Sequence, residues 1–177
     1  MPVTKKAIVV EDVLESVFSY IPDISFEIGG DEYPVVFSYG DQIALNTFLK
    51  NREQSETYPL IWMLYPIEED HQKNRLKIDN LVLILAVPTN STMENEERLK
   101  TTFGNVLFPL FDSIKHCLKT ANIITYGGAD ESIQLIKYPN YSESDSKEET
   151  FANEIWDALK LTFDIEIIQT CLKPIKF

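Results

Sequence analysis

The chain has 177 residues, 44% of them hydrophobic and 25% charged, with 16 Lys and Arg against 28 Asp and Glu for a net charge of -12. Such a length and composition set a single globular domain over 1–177 with a sizeable core, and exclude a disordered chain. The acidic balance excludes a primary role in gripping nucleic acid, which depends on Lys and Arg neutralising phosphates, yet leaves room for DNA to pass close by without adhering.

In "MPVTKKAIVVEDVLESVF" two lysines precede an apolar run, but Glu11, Asp12 and Glu15 interrupt it too early for a signal-peptide core. Instead Val10, Val13, Leu14, Val17 and Ile21 recur at helical intervals, which predicts an amphipathic helix over 7–21 that Pro22 limits. Ile24, Phe26 and Ile28 alternate ahead of Gly29-Gly30, the pattern of a strand and a tight turn, and 33–37 reads as a second short extended piece. Ser38, three residues before Asp41, has capping spacing for a short helix carrying Ala44, Leu45, Phe48 and Leu49.

The uncharged stretch "YPLIWMLYP" (58–66) is greasy on both faces, with Tyr58, Leu60, Trp62 and Leu64 on one and Ile61, Met63 and Tyr65 on the other. That is the pattern of a strand covered on each side. "LKIDNLVLILAV" (76–87) repeats it, and a charged loop at 66–76 joins the two most simply as a long antiparallel hairpin at the sheet centre. The run 81–88 is less than half the length a helix needs to cross a bilayer, so no membrane span is expected.

Pro88 is expected to end that strand. Ser91 and Glu94 have capping-box spacing before the longest helical pattern, from Leu99 and Phe103 through Val106, Leu107, Leu110 and Ile114 to Cys117 and Leu118. An interior proline loses a helix hydrogen bond and clashes behind itself, so Pro109 predicts a kink or split near 104–109. Residues 131–138 form an edge-like strand, and 139–150 is the most polar segment and the best candidate for a flexible loop. Phe151, Ile155, Trp156 and Leu159 suggest a short helix over 151–160. Leu161, Phe163, Ile165 and Ile167 then alternate with polar residues as a final strand, one face core and the other wet or contacted by a partner. The sum is an α+β fold: a mostly antiparallel sheet of three to five strands with helices packed on it, and a neighbouring subunit covering the second face if the helices do not.

No chemistry-bearing constellation emerges. His71 sits in a charged loop, and His116 is adjacent to Cys117 on a helix, where neighbouring positions face apart, so no Cys-His nucleophilic pair is expected. Cys117 and Cys171 lie in apolar patterns as buried thiols and make neither a metal cage nor a disulfide framework. Glu68-Glu69-Asp70 and Glu94, Glu96 and Glu97 lack calcium-loop or dimetal spacing, and the glycine pairs 29–30 and 127–128 read as turns rather than phosphate loops. No catalytic residue, cofactor or metal is assigned, and a non-enzymatic protein is expected. Exposed loop and strand faces are the candidate subunit or partner contacts: Glu68, Glu69 and Asp70 at the hairpin, Tyr141 in the polar loop, and Asp164 and Glu166 on the last strand.

The helix "VEDVLESVF", the segment "FSYGDQIALNTFL", "YPLIWMLYP" leading into "LVLILAVPTN", and the closing "ANEIWDALKLTFDIEII" together resemble the tail-completion or tail-terminator proteins of tailed bacteriophages. The resemblance is one of layout across most of the chain and has no catalytic motif to carry over. It implies a virion structural protein of the tail or neck, made in the host cytoplasm, that self-associates into a ring, often sixfold. The ring would meet tail tube and head-side connector proteins, with DNA passing through unbound. The alternatives are another phage neck or adaptor protein, or a small ligand- or peptide-binding module with an apolar pocket near Trp62 or Trp156.

Overall fold

The structure, a computed structural model, describes residues 8–26, 31–50, 58–89, 92–141 and 155–168. Helix α1 spans Val10–Phe18 and buries Val10, Val13, Leu14, Val17 and Phe18, the stripe that its helical spacing dictates. Strands β1 (Ile24–Phe26) and β2 (Asp31–Tyr33) pair antiparallel as a separate ribbon. Strand β3 (Val36–Gly40) leads into α2 (Gln42–Lys50). The cap of α2 is Asp41 rather than Ser38: the Asp41 carboxylate accepts the Ala44 N–H at 2.7 Å, while Ser38 lies inside β3.

Strands β4 (Leu60–Leu64) and β6 (Arg75–Thr89) form the expected antiparallel pair, Leu60 facing Ala86 and Met63 facing Leu83. The charged connection is itself ordered, since β5 (Glu69–Gln72) folds back on the start of β6 with Gln72 opposite Arg75. Strand β6 runs on through Pro88 to Thr89. This is tolerated because β4 stops pairing at Ala86, so at Pro88 only β9 is hydrogen-bonded to the strand.

One long helical stretch follows, as α3 (Asn95–Arg98), a π-helical segment (Leu99–Leu107) and α4 (Phe108–Thr120). The expected break at Pro109 appears here as a change of winding, with Pro109 in the first turn of α4, where a missing N–H costs least. Gly104 suits the wide turn, because a Cβ there would stand 2.8 Å from the Leu99 carbonyl oxygen. Glu94 is the residue before α3 and makes no side-chain cap; Ser91 lies outside the described residues. Strands β7 (Ile124–Tyr126), β8 (Gln134–Tyr141) and β9 (Ile155–Ile168) complete the fold.

The main sheet has the order β3-β4-β6-β9-β7, with β5 on β6 and β8 on β9, and every pairing is antiparallel except β3 with β4. A mostly antiparallel sheet carrying helices is therefore what forms, and it holds seven strands rather than three to five. The additional ones are short or polar, such as "EDHQ" of β5, and borrow their order from a long neighbour. The helix expected over 151–160 is corrected to strand: β9 begins at Ile155, and residues 151–154 lie outside the description.

Each sheet face has its own core. The first packs α1 and the 99–118 helical face on Ile61, Met63, Leu83, Leu85, Leu159 and Leu161. On the second, Leu45 of α2 joins Tyr58, Leu60, Trp62, Ile84, Ala86, Trp156 and Ala158. A helix of the same chain thus covers the apolar half of the second face. Beyond it the face turns polar, at half-buried Lys77, Thr162 and Glu166 and exposed Asp164. Between Ile78 and Leu81 strand β6 carries an extra residue, with Asn80 at φ 56°, so the inward register of β6 survives on both sides of the bulge.

Candidate functional site

Trp62 is 2% exposed and donates its Nε1–H to the Gly40 carbonyl at 3.1 Å, with the Phe48 ring 5.4 Å away. Gly40 allows that approach, since a Cβ there would sit 3.1 Å from the indole. Trp156 is 1% exposed. Both tryptophans are core fillers of the second face. A shallow depression lies elsewhere, at the outer side of the α3 start, lined by Glu94, Glu96, Glu97, Lys100 and Thr101.

The candidate contacts separate into distinct roles. Glu68, Glu69 and Asp70 are exposed on the β5 hairpin, where Glu69 meets His71 at 2.7 Å and Asp70 accepts from Gln72 at 2.8 Å. Asp164 is exposed but also structural: its Oδ1 accepts the Asn80 N–H at 2.9 Å, satisfying a backbone donor that the bulge takes out of the ladder. Glu166 pairs across the strands with Arg75 at 2.8 Å. Tyr141 stands at the end of β8 opposite Trp156 of β9, and residues 142–150 of the expected loop lie outside the described residues. These residues do not converge. The hairpin acids and Glu166 occupy one end of the sheet, and Tyr141 the other.

One buried polar cluster escapes the sequence pattern. Arg98 is 1% exposed and donates to Asp157 Oδ1 at 2.9 Å, Thr89 Oγ1 at 2.9 Å and the Met93 carbonyl at 3.0 Å, while the Thr102 hydroxyl donates to Asp157 Oδ2. These bonds tie the start of the long helix to β6 and β9 from inside. A buried ion pair with these hydrogen bonds acts as a structural lock between the helix and the sheet.

Cys117 is buried and His116 exposed, so they form no pair, and burial pushes the Cys117 thiol above its ordinary range. Burial also raises the Tyr65 phenol, helped by its hydrogen bond to Glu11 and by that carboxylate's charge. Among the described residues no three His, Cys, Asp or Glu side chains gather to hold a metal ion, and no helix is long and apolar enough to cross a membrane.

The sheet's own margins offer a further surface. Val36 N–H bonds to the Pro59 carbonyl and Tyr65 N–H to the Gly40 carbonyl, so even positions of β3 face β4. In a parallel ladder the amides and carbonyls of Phe37 and Tyr39 then point outward. Among the described residues no strand pairs with this side of β3 or with the outer side of β8. Strand β3 is uncharged and without proline, whereas β8 carries Lys137, Pro139 and a register shift between Tyr138 and Tyr141. The two edges are therefore unlike: β3 is uninterrupted, and β8 is interrupted only toward its end, at Pro139 and the shift. Neither a protein-family model nor a curated protein sequence matches this chain.

Proposed function

We propose that this chain is a non-enzymatic assembly subunit that joins copies of itself head to tail into a ring, in the tail or neck of a tailed phage as the resemblance in its layout implies. The observation carrying this reading is the open sheet with two unlike edges, β3 and β8, on opposite sides. Two different patches on one subunit generate a heterologous contact, which closes into a ring when the rotation allows. The burial of Trp62 and Trp156 favours this over a ligand-binding module. With the strands along the ring axis, the β5–β6 hairpin bearing Glu68, Glu69 and Asp70 would face one axial neighbour, and the end of β8 at Tyr141 the other. Tail tube and head-side connector proteins are the partners that this placement suits, with DNA passing through and not held.

Light scattering on the purified chain over a wide concentration range, with electron imaging of the heaviest fraction, tests it. A discrete multimer with rotational symmetry is expected. A monomer at every concentration would contradict the reading.

A further inference from the structure

Follow single residues across the sheet. Val36 lies opposite Leu60, Leu60 opposite Ala86, Ala86 opposite Ala158, and Ala158 opposite Tyr138. The neighbouring rows run Phe37, Ile61, Leu85, Leu159, Lys137; then Ser38, Trp62, Ile84, Lys160, Ile136; then Tyr39, Met63, Leu83, Leu161, Leu135. The two margins therefore stand level, residue for residue, and residues in one row share a face. Strand directions add a second match. Strand β3 is parallel to β4, and three successive antiparallel pairings lead from β4 to β8, so β8 is antiparallel to β3.

We infer that β8 of one copy adds antiparallel to the outer edge of β3 in the next, Phe37 against Lys137 and Ser38 against Ile136, making the sheet continuous around the ring. This rests on the assembly reading above and names its junction. A rotation about an axis along the strands brings the level margins together and keeps the face that carries α1 on the same side in every copy. The pairing satisfies the outward backbone groups of Phe37 and Tyr39 in the more stable antiparallel manner.

The side chains agree on both faces. On the first face Phe37 and Tyr39 belong to an aromatic row, with Phe18 5.4 Å from Phe37, Phe37 6.4 Å from Tyr39, and Tyr39 5.9 Å from Tyr65. Beside it Glu11, Glu15 and Phe18 occupy one stripe of α1, fixed at its ends because Glu11 bonds the Tyr65 hydroxyl and Phe18 packs on Phe37. The incoming strand brings Lys137, exposed and standing 4.7 Å over the Phe108 ring of its own chain, to a further aromatic and acidic wall, the chemistry that cation–π and ion pairing recognise. On the second face it brings Ile136, 40% exposed, to the side where Ile43 of α2 is 64% exposed. An even register slip would preserve the faces, but it would set Lys137 against Val35 or Tyr39 instead of Phe37.

Oxidative cross-linking of the full chain carrying both Ser38→Cys and Ile136→Cys decides the matter. Within one chain the two positions lie four strand spacings apart, roughly 19 Å, beyond the reach of a disulfide, so a bond between these two cysteines can form only between copies. The double variant is expected to give a ladder of covalent multimers up to the assembled size. A mixture of the two single variants should stop at dimers, and the parent chain, oxidised alike, should give none. Multimers seen by light scattering without any ladder would overturn this junction and leave the assembly reading standing. A monomer without a ladder would overturn both.

Discussion

The buried Arg98–Asp157 pair allows a prediction with a worked magnitude. Asp157→Ala removes the acceptor of the Arg98 guanidinium at 2.9 Å and of the Thr102 hydroxyl, at a place where both charged side chains are 0–1% exposed. Leaving one charge buried without its counter-ion costs about 3–5 kcal/mol, and the lost hydroxyl bond about 1 kcal/mol more. Against a typical total of about 5–15 kcal/mol, that is enough to bring the unfolding midpoint down sharply. Urea unfolding followed by circular dichroism measures it. Asp157→Leu combined with Arg98→Met should recover to within about 2 kcal/mol of the parent, because apolar replacement of both partners removes the desolvation cost with the attraction. A loss under about 1 kcal/mol for Asp157→Ala would refute the claim that the pair is sealed from water. A double variant no better than the single one would refute its purely structural role.

Other outcomes follow from the same geometry. Lys137→Glu should raise the concentration needed for half-assembly about tenfold, as removal of roughly 1.4 kcal/mol requires, and Glu15→Lys in the same chain should restore part of it; sedimentation measures both. Trp62→Ala should destabilise the monomer by about 3–5 kcal/mol through the cavity left in the second core, read by chemical denaturation. Tyr65 has a folded pKa raised above its ordinary value near 10, so the native state keeps its proton longer than the unfolded chain does. Its contribution is full below that ordinary value and is lost as pH rises toward the folded one. Denaturation at pH 8 and pH 11 should therefore show an alkaline loss that Tyr65→Phe diminishes. Replacing Glu68, Glu69 and Asp70 together by Ser should impair association with an axial partner and leave the monomer's unfolding midpoint unchanged, since all three are exposed.

The central strands were legible because burial on both faces leaves an uncharged run, as in 58–66 and 81–88, and few other elements demand one. The same property hid the first half of β9. Trp156 and Ala158 fill one core, and Leu159 and Leu161 the other, so the apolar residues of a doubly covered strand fall at spacings that mimic a helix. Asp157 completed the illusion, since a carboxylate in that pattern reads as a solvated helix face until Arg98, distant in sequence, is placed against it. Arg98 itself stands among Glu94, Glu96, Glu97 and Lys100 and carries no local sign of burial. Strand β5 was illegible for the opposite reason: its four residues are all exposed and held only by backbone pairing with β6. The exposed acids at the hairpin could be named from the sequence. The level margins of β3 and β8 could not, because they depend on a register carried through four pairings.

Amide hydrogen exchange at Phe37 and Tyr39, compared between monomeric and assembled fractions of the chain, bears most directly on whether the sheet edges carry the association. Their outward N–H groups should exchange quickly in the monomer and become strongly protected on assembly, together with the outer amides of β8. Unchanged exchange at Phe37 and Tyr39 in a fraction proven to be multimeric would place the contact elsewhere and contradict the account.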